Sequence, residues 1–408
     1  MMDKPNLLLL GASGAVAGAF LRRLPLNRGL LGRLILLDRD DSILSNTFLD
    51  HDVLAYEFIH RDLRLPKDRR DYIEMLKKHG IDIVIDLTDM PTMPVFNITN
   101  RMGISYINTA TWSQGGKFSD VVFEIYDRMG EFDRAAHIFC TGMNPGIVNM
   151  WVRYGIEKFG VPREVVHFEY DTSELAGGWK PMTTWSKHAF IDEVATDSTG
   201  FMLGRDNLKE VFPNGLKNML PMQEILEPIM KLDDYPDGFL VMHDENITIA
   251  QKYDVPSKFV YAVNMKTMGA LIELYDRKGT VSKDDLILGD NTTCKLSGSD
   301  GIGVMLEYDD KRVYYFNTIT NSEVAGTSAT CLQVATGVYA ALFTLLTDSM
   351  ENGAYFVEDI FDTSYKNHVF DNMQVQEFVF SRNNGGLKLI SHEQKVKPEK
   401  NNSKSIRI

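Results

Sequence analysis

The chain has 408 residues, beyond the size at which one hydrophobic core usually serves, so two domains are expected. Its 43 Lys and Arg against 56 Asp and Glu leave a formal net charge of −13, which argues against a nucleic-acid partner, because that needs clustered cations. Cys140, Cys294 and Cys331 are far apart with no C-x-x-C pair, so neither a disulfide framework nor a metal site is expected. No uninterrupted apolar span of about 20 residues is present, and the N-terminus lacks a basic head with a cleavage site. No membrane partner and a cytoplasmic location are the expectations.

From the N-terminus, Asn6 to Leu10 is a short Leu-rich run that stops at Gly11 and reads as a strand buried on both faces. Gly11, Gly14 and Gly18 then open a helix. With Ser13, Ala15 and Val16 they form the kind of turn whose backbone N–H groups and helix dipole receive a pyrophosphate. The plain alternative is a tight turn of small residues packed for closeness. Arg33 to Leu37 is a second buried strand ending at Asp38, twenty-seven residues after Gly11. An acid there accepts bonds from a ribose 2′-hydroxyl and favours NAD over NADP, although Arg39 beside it works against that preference.

Ser42 to Asp50 has roughly helical spacing, and Tyr56 to His60 is a third strand followed by Asp62, placed to meet an adenine amine. Asp71 to His79 reads as an amphipathic helix closed by Gly80. Ile81 to Asp86 is a fourth buried strand, leading into a loop with Thr88 and Asp89 at its carboxyl end, where open α/β sheets place ligands. Ser105 to Thr109 and Ala135 to Cys140 supply two more strands. They are followed by the loops Thr111 to Gly116 and Gly142 to Gly146, the second carrying Asn144.

This alternation predicts an α/β fold: an N-terminal doubly wound parallel sheet of the Rossmann type over residues 1–147. From Val165 the strands become β-branched and aromatic, predicting a second, α+β domain for substrate and dimerisation over residues 148–325. Residues 326–391 are expected to form a helical segment, with Thr327 to Leu346 packing back on the first domain. Residues 392–408, polar and without period, are expected to be a disordered tail.

The stretch Phe168 to Glu193 concentrates Glu169, Asp171, Glu174, Asp192 and Glu193 with Trp179 and Trp185. Carboxylates beside an indole suit an ammonium ligand through Coulomb attraction and cation–π contact of about 0.5 to 2 kcal/mol. The competing reading is a solvated acidic strand with core tryptophans. His243 is a candidate proton carrier, and Asp300, in a glycine-rich turn, is by default a turn residue.

The order of motifs resembles bacterial-type homospermidine synthase, within the saccharopine dehydrogenase-like group. The resemblance runs from about Asn6 to about Leu346. It rests on N-P-G-I-V at Asn144 to Val148, E-x-D-T at Glu169 to Thr172, T-W-S-x-x-x-F-I-x-E at Thr184 to Glu193 and M-H-x-E at Met242 to Glu245. Asp300 ahead of Gly303 to Leu306, and A-T-x-L-Q-V-A-x-G at Ala329 to Gly337, complete it. It implies an enzyme that uses NAD, also contacted by Thr109, to join two putrescine molecules with release of ammonia. It further implies that Trp185 covers an ammonium while Glu169 and Glu193 bind amino groups. Asp89, Asn144, His243 and Asp300 would line the same reaction centre, and a homodimer is expected. Two alternatives remain open. One is an NADPH-dependent reductase of the carboxynorspermidine or saccharopine dehydrogenase kind, with Arg153, Lys180 or Lys187 holding a substrate carboxylate. The other is a non-catalytic NAD-binding protein on the same fold.

Overall fold

The computed structural model describes residues 4–113, 117–290, 292, 294–383 and 386–398. They form two units: residues 4–147 with 331–372, and residues 148–330 with 373–398.

The first unit is built on a seven-stranded parallel sheet. Its strands are β1 (Leu7–Leu10), β2 (Leu34–Asp38), β3 (Tyr56–His60), β4 (Ile83–Asp86), β5 (Ser105–Asn108) and β6 (Ala136–Phe139), with Gly353–Phe356 beyond β6. The order β3-β2-β1-β4-β5-β6 reverses between β1 and β4. That reversal opens a crevice at the carboxyl ends of the strands, which is what positions a ligand in doubly wound folds. β1 is four fully buried leucines, because a central strand covered on both faces needs apolar residues at every position.

Helix α1 (Ala15–Arg23) follows β1, and Gly80 ends the helix Arg69–His79 with a left-handed φ of 58°. The segment Ser42 to Asp50 is not one helix. A 3-10 turn at Ser42–Ser45 is followed by a separate short helix, His51–Leu54, whose Val53 N–H is capped by Asp50 at 3.0 Å. A helix Ala329–Thr347 lies along α1: Arg23 Nη1 donates to Thr336 Oγ1 at 2.7 Å, Asn27 meets the Tyr339 hydroxyl, and Phe20 meets the Tyr339 ring edge-on at 6.3 Å. Among the described residues it is the one helix long and apolar enough to cross a membrane, and 78% of its apolar window is buried inside the protein.

The second unit is a ten-stranded mixed sheet. At its centre, β7 (Glu164–Asp171) pairs in parallel with Ser257–Val263 and antiparallel with Ser299–Glu307. These registers put His167, Glu169 and Asp171 on one face with Phe259, Tyr261, Val263 and Asp300. Val166 and Phe168 turn to the other face, against Tyr314 and Phe316. A strand places alternate side chains on opposite faces, so one strand serves a polar face and an apolar one.

The C-terminal residues correct two expectations. Gln376–Asn383 and Gly386–Glu393 are strands that extend the second sheet rather than helical segment. His392 and Glu393 belong to that edge strand, with His392 stacked on Phe378 at 4.0 Å, and the buried Val396 donates its N–H to the Val375 carbonyl at 2.8 Å. Polar residues on an exposed edge strand carry no apolar stripe, so in sequence they look like disorder. Residues 399–408, and Gln114 to Gly116 of the fifth-strand loop, lie outside the described residues.

Gly337, inside the helix Ala329–Thr347, lies against the loop after β6: a Cβ there would stand 2.1 Å from the Thr141 carbonyl oxygen and 2.4 Å from that of Gly142. Alanine normally favours a helix by about 1 kcal/mol over glycine. Overpacking costs about 1 to 3 kcal/mol and acts on rigid backbone here. Gly337→Ala is therefore expected to lower the melting temperature by several degrees; a melting temperature equal to or above wild type would refute this packing.

Candidate active site

In the first unit the candidate nucleotide-binding residues gather where β1 and β4 end. Gly11 has a φ of +77°, and a Cβ on it would stand 2.6 Å from the Leu87 carbonyl oxygen, so only glycine lets the loops after β1 and β4 approach this closely. Gly14 caps α1 in an extended conformation with no side-chain cap. The helix N-terminus at Ala15 and Val16 thus presents its N–H groups without an internal oxygen in front of them, which fits a pyrophosphate.

Asp38 ends β2 and braces this loop, accepting from Ser13 N–H at 2.9 Å and Asp40 N–H at 3.0 Å. Two bonds leave acceptor capacity on a carboxylate for ribose hydroxyls. Ser13 is spent on the brace, its hydroxyl donating to the Asp40 carbonyl at 2.7 Å. Asp62 is exposed and paired with Arg64, Nε to Oδ2 at 2.9 Å.

Thr88 is fixed by the buried Asp86, which accepts from its N–H at 3.1 Å and its hydroxyl at 2.6 Å, and from the Tyr106 hydroxyl at 3.0 Å. Burial pushes the Asp86 carboxyl up to about 6 against the opposing effect of these donors. Thr109 contributes its carbonyl to Gly142 N–H at 3.3 Å. Asp89 is exposed after β4, and Asn144 sits in the loop after β6, which Gly146 closes with a φ of 133°.

The second unit brings together Glu169, Trp185, Glu193, His243 and Asp300. Glu169, Asp171 and Asp300 are all buried on one sheet face, Asp300 directly opposite Asp171. Asp171 accepts from Ser173 N–H and the Thr184 hydroxyl, each at 2.8 Å, and burial raises its pKa against those bonds. Tyr261 is opposite Glu169 on the parallel neighbour. Burial, then the charges of Glu169 and Asp171, hold its phenol protonated well above the ordinary range.

The Trp185 indole N–H reaches the Tyr261 hydroxyl at 3.3 Å, and the Trp185 ring meets Phe190 edge-on at 6.4 Å. Ser186 caps the helix Lys187–Ile191 by accepting from Ala189 N–H at 3.2 Å. That helix runs into a π turn, Asp192–Thr196, which carries Glu193. Such wider turns recur at functional sites because they re-aim a side chain. The eight-residue spacing from Trp185 to Glu193 thus has a local cause: cap, short helix, widened turn.

His243 stands between two carboxylates, its Nδ1 2.6 Å from Glu245 Oε2 and its Nε2 3.3 Å from Glu193 Oε1. Burial opposes a charge on the ring, but Glu245 and Glu193 outweigh it and hold the imidazole protonated well above its usual pKa. Glu245 is fully buried in the first turn of the helix Asp244–Tyr253, and its pKa is lowered because the His243 cation outweighs burial. His167, beneath them, is pushed down to about 4 by burial.

The acidic stretch read from the sequence therefore divides. Glu174 lies 3.7 Å from Lys266, Asp192 pairs with His188 at 3.0 Å, and Trp179 is exposed, while Glu169, Asp171, Trp185 and Glu193 join the buried cluster. Sequence reasoning gave no role to Glu245, Tyr261, Thr184 or His167. One signal was available: His167, Glu169 and Asp171 are charged or titratable residues at every second position of a strand whose intervening residues, Val166, Phe168 and Tyr170, are large and largely apolar.

No family model matches the chain, and no curated protein matches it. Among solved structures it is similar to homospermidine synthase from Legionella pneumophila in complex with NAD, with a TM-score of 0.71 at 15% identity, covering 90% of this chain and 88% of that one. It is also matched by an amine dehydrogenase from Mycobacterium smegmatis at a TM-score of 0.40 and 9% identity, covering 88% and 96%. The first of these likenesses is one of fold.

Imidazole NMR separates the buried histidines. At pH 7 His243 is expected as the cation, while His137 and His167, both pushed down to about 4 by burial, stay neutral at pH 5. In Glu245→Gln the pH at which His243 loses its proton should fall. Because its folded pKa is raised, the stability His243 contributes is complete below its unfolded value of about 6.5 and is lost as pH rises through the folded value. A neutral His243 at pH 7, or no change in Glu245→Gln, would contradict the ion chain.

Proposed function

We propose that the chain is an NAD-dependent enzyme of the homospermidine synthase type, which joins two putrescine molecules and releases ammonia. The observation that carries this reading is the buried face of Glu169, Asp171 and Asp300 beside Trp185 and Tyr261. Crowded carboxyl groups in a low-dielectric site favour a cationic guest, and a diamine dication neutralises two of them. The motif resemblance and the fold shared with the NAD-bound homospermidine synthase support the same reading.

The first unit would hold the dinucleotide, with the pyrophosphate at Gly11 to Val16 and the ribose at Asp38. A nicotinamide bound there would supply reversible hydride acceptance from an amine carbon. The second unit's residues supply the rest. Trp185 covers an ammonium with its indole face, oriented by its bond to Tyr261. Glu169 and Asp300 stabilise the iminium charge that develops on the substrate carbon. Glu193 accepts a proton from the amine, its Oε1 held 3.3 Å from His243 Nε2. A second diamine would add to the substrate imine and ammonia would leave, and return of the hydride taken from the first diamine to the new imine would leave no net redox change.

The cations that a carboxylate-binding reductase would need are otherwise engaged or exposed. Arg153 pairs with Glu157, Lys187 donates to the Leu286 carbonyl at 3.4 Å, and Lys180 is exposed.

Purified protein given putrescine and NAD is expected to yield homospermidine and ammonia by mass spectrometry with no net formation of NADH. Trp185→Ala and Glu193→Gln should each lower kcat at least about 100-fold while NAD binding is retained. Absence of any coupled amine, steady consumption of reduced cofactor, or normal turnover in both variants would reject the proposal.

A further inference from the structure

On the face opposite the carboxylates, the second unit's sheet lines a cavity of about 360 Å³. Strand registers put Val166, Val260 and Met305 together beneath it as buried core: Met305 is opposite Val166, and Val260 is opposite Phe168, on the even-numbered face of β7. Leu220 and Ile225 add an apolar wall. At one end the same strands deliver charge. Glu307 is buried and is approached by three guanidinium groups: Arg312 Nε at 2.6 Å, Arg382 in closer contact, and Arg163 at 3.6 Å.

Three cations around one buried carboxylate exceed what is needed to neutralise it. Lys258, also at the cavity, is matched by Glu164 at 2.8 Å, and Glu224 supplies the remaining carboxylate. The lining thus holds four cations and three carboxylates in a chain whose net charge is −13. Each guanidinium has five donors. Arg312 spends further ones on the Glu224 carbonyl at 3.0 Å and the Tyr314 hydroxyl at 3.4 Å. Arg382 and Arg163 are part-exposed and give Glu307 only one nitrogen each at these distances, so donors remain for a second anion. The volume is within the range of small-molecule sites, which combine an apolar body with a few convergent polar groups.

We propose that this cavity binds a small amphiphilic organic anion, its carboxylate or phosphate head on Arg382 and Arg163 and a short alkyl chain against Leu220 and Pro221. The site is separate from the carboxylate face and does not rest on the reaction proposed above. A guanidinium pair recognises an anionic head through paired N–H donors, and the accessible wall of Leu220 and Pro221 discriminates an alkyl chain from a bare anion by area removed from water.

Isothermal titration of the whole chain tests it with sodium octanoate, octyl phosphate, octylammonium chloride and inorganic phosphate. Saturable one-site binding is expected for octanoate or octyl phosphate, and the tighter of the two identifies the head group. Octylammonium and inorganic phosphate should bind at least tenfold more weakly. Arg382→Gln, at a part-exposed side chain, should weaken the octyl anion at least tenfold, and Leu220→Glu, on the apolar wall, should do the same without touching the guanidinium cluster. The proposal is overturned if neither octyl anion binds saturably, if inorganic phosphate or octylammonium binds as tightly, or if either folded variant binds the octyl anion like wild type.

Discussion

An imidazolium held between two carboxylates is the interaction on which the second unit's polar face depends. Taking Glu245 fully out of water is affordable only because His243 stays charged 2.6 Å away. His243 in turn carries a charge in a buried place because Glu245 and then Glu193 lie against its two nitrogens. Removing His243 would leave Glu245 as an uncompensated buried charge, whereas removing either glutamate leaves the imidazolium paired with the other. The surrounding architecture is arranged to hold them: the strand Asp237–Val241 ends just before His243, the helix starting at Asp244 presents Glu245 in its first turn, and the π turn swings Glu193 inward.

The same strands carry two opposite chemistries. Odd-numbered positions of β7 and of Ser257–Val263 place His167, Glu169, Asp171 and Tyr261 on one face with Asp300, and their even-numbered positions, with Met305 and Glu307, place apolar side chains bounded by guanidinium groups on the other. A slip of register by one residue would exchange the faces and bury unmatched charge on both. The aromatic contacts add to this specification: His243 against Phe259 at 5.1 Å, Phe259 stacked on Tyr261 at 5.9 Å, and Tyr261 bonded to Trp185.

In the first unit the constraint is closeness of backbone. Gly11 lets the loop after β1 reach the Leu87 carbonyl, and Gly337 lets a helix from the far end of the sequence press on the Thr141 and Gly142 carbonyls. Asp86 and Asp38 then fix the two loops from beneath with short hydrogen bonds. The carboxyl ends of β1, β2 and β4 are thereby preorganised, which lowers the conformational entropy a bound nucleotide would otherwise have to remove.

By itself the sequence determined the parallel α/β architecture, since continuous apolar runs such as Leu7 to Leu10 and Ile83 to Ile85, each ending at a glycine or an acid, permit little else. It also marked Trp185, Glu193 and His243 by local spacing, because a cap, a short helix and a strand end are local features. Tertiary structure alone decided that Glu193 is a partner of His243, that Tyr261 orients Trp185, and that Asp300 belongs beside Asp171, residues separated by 50 and more positions in each case. It also decided that the polar C-terminal stretch through Glu393 is an edge strand. The physical reason is that periodicity records which side of an element is buried, whereas pairing between distant strands, and the charge balance it creates, exists only once their register is set.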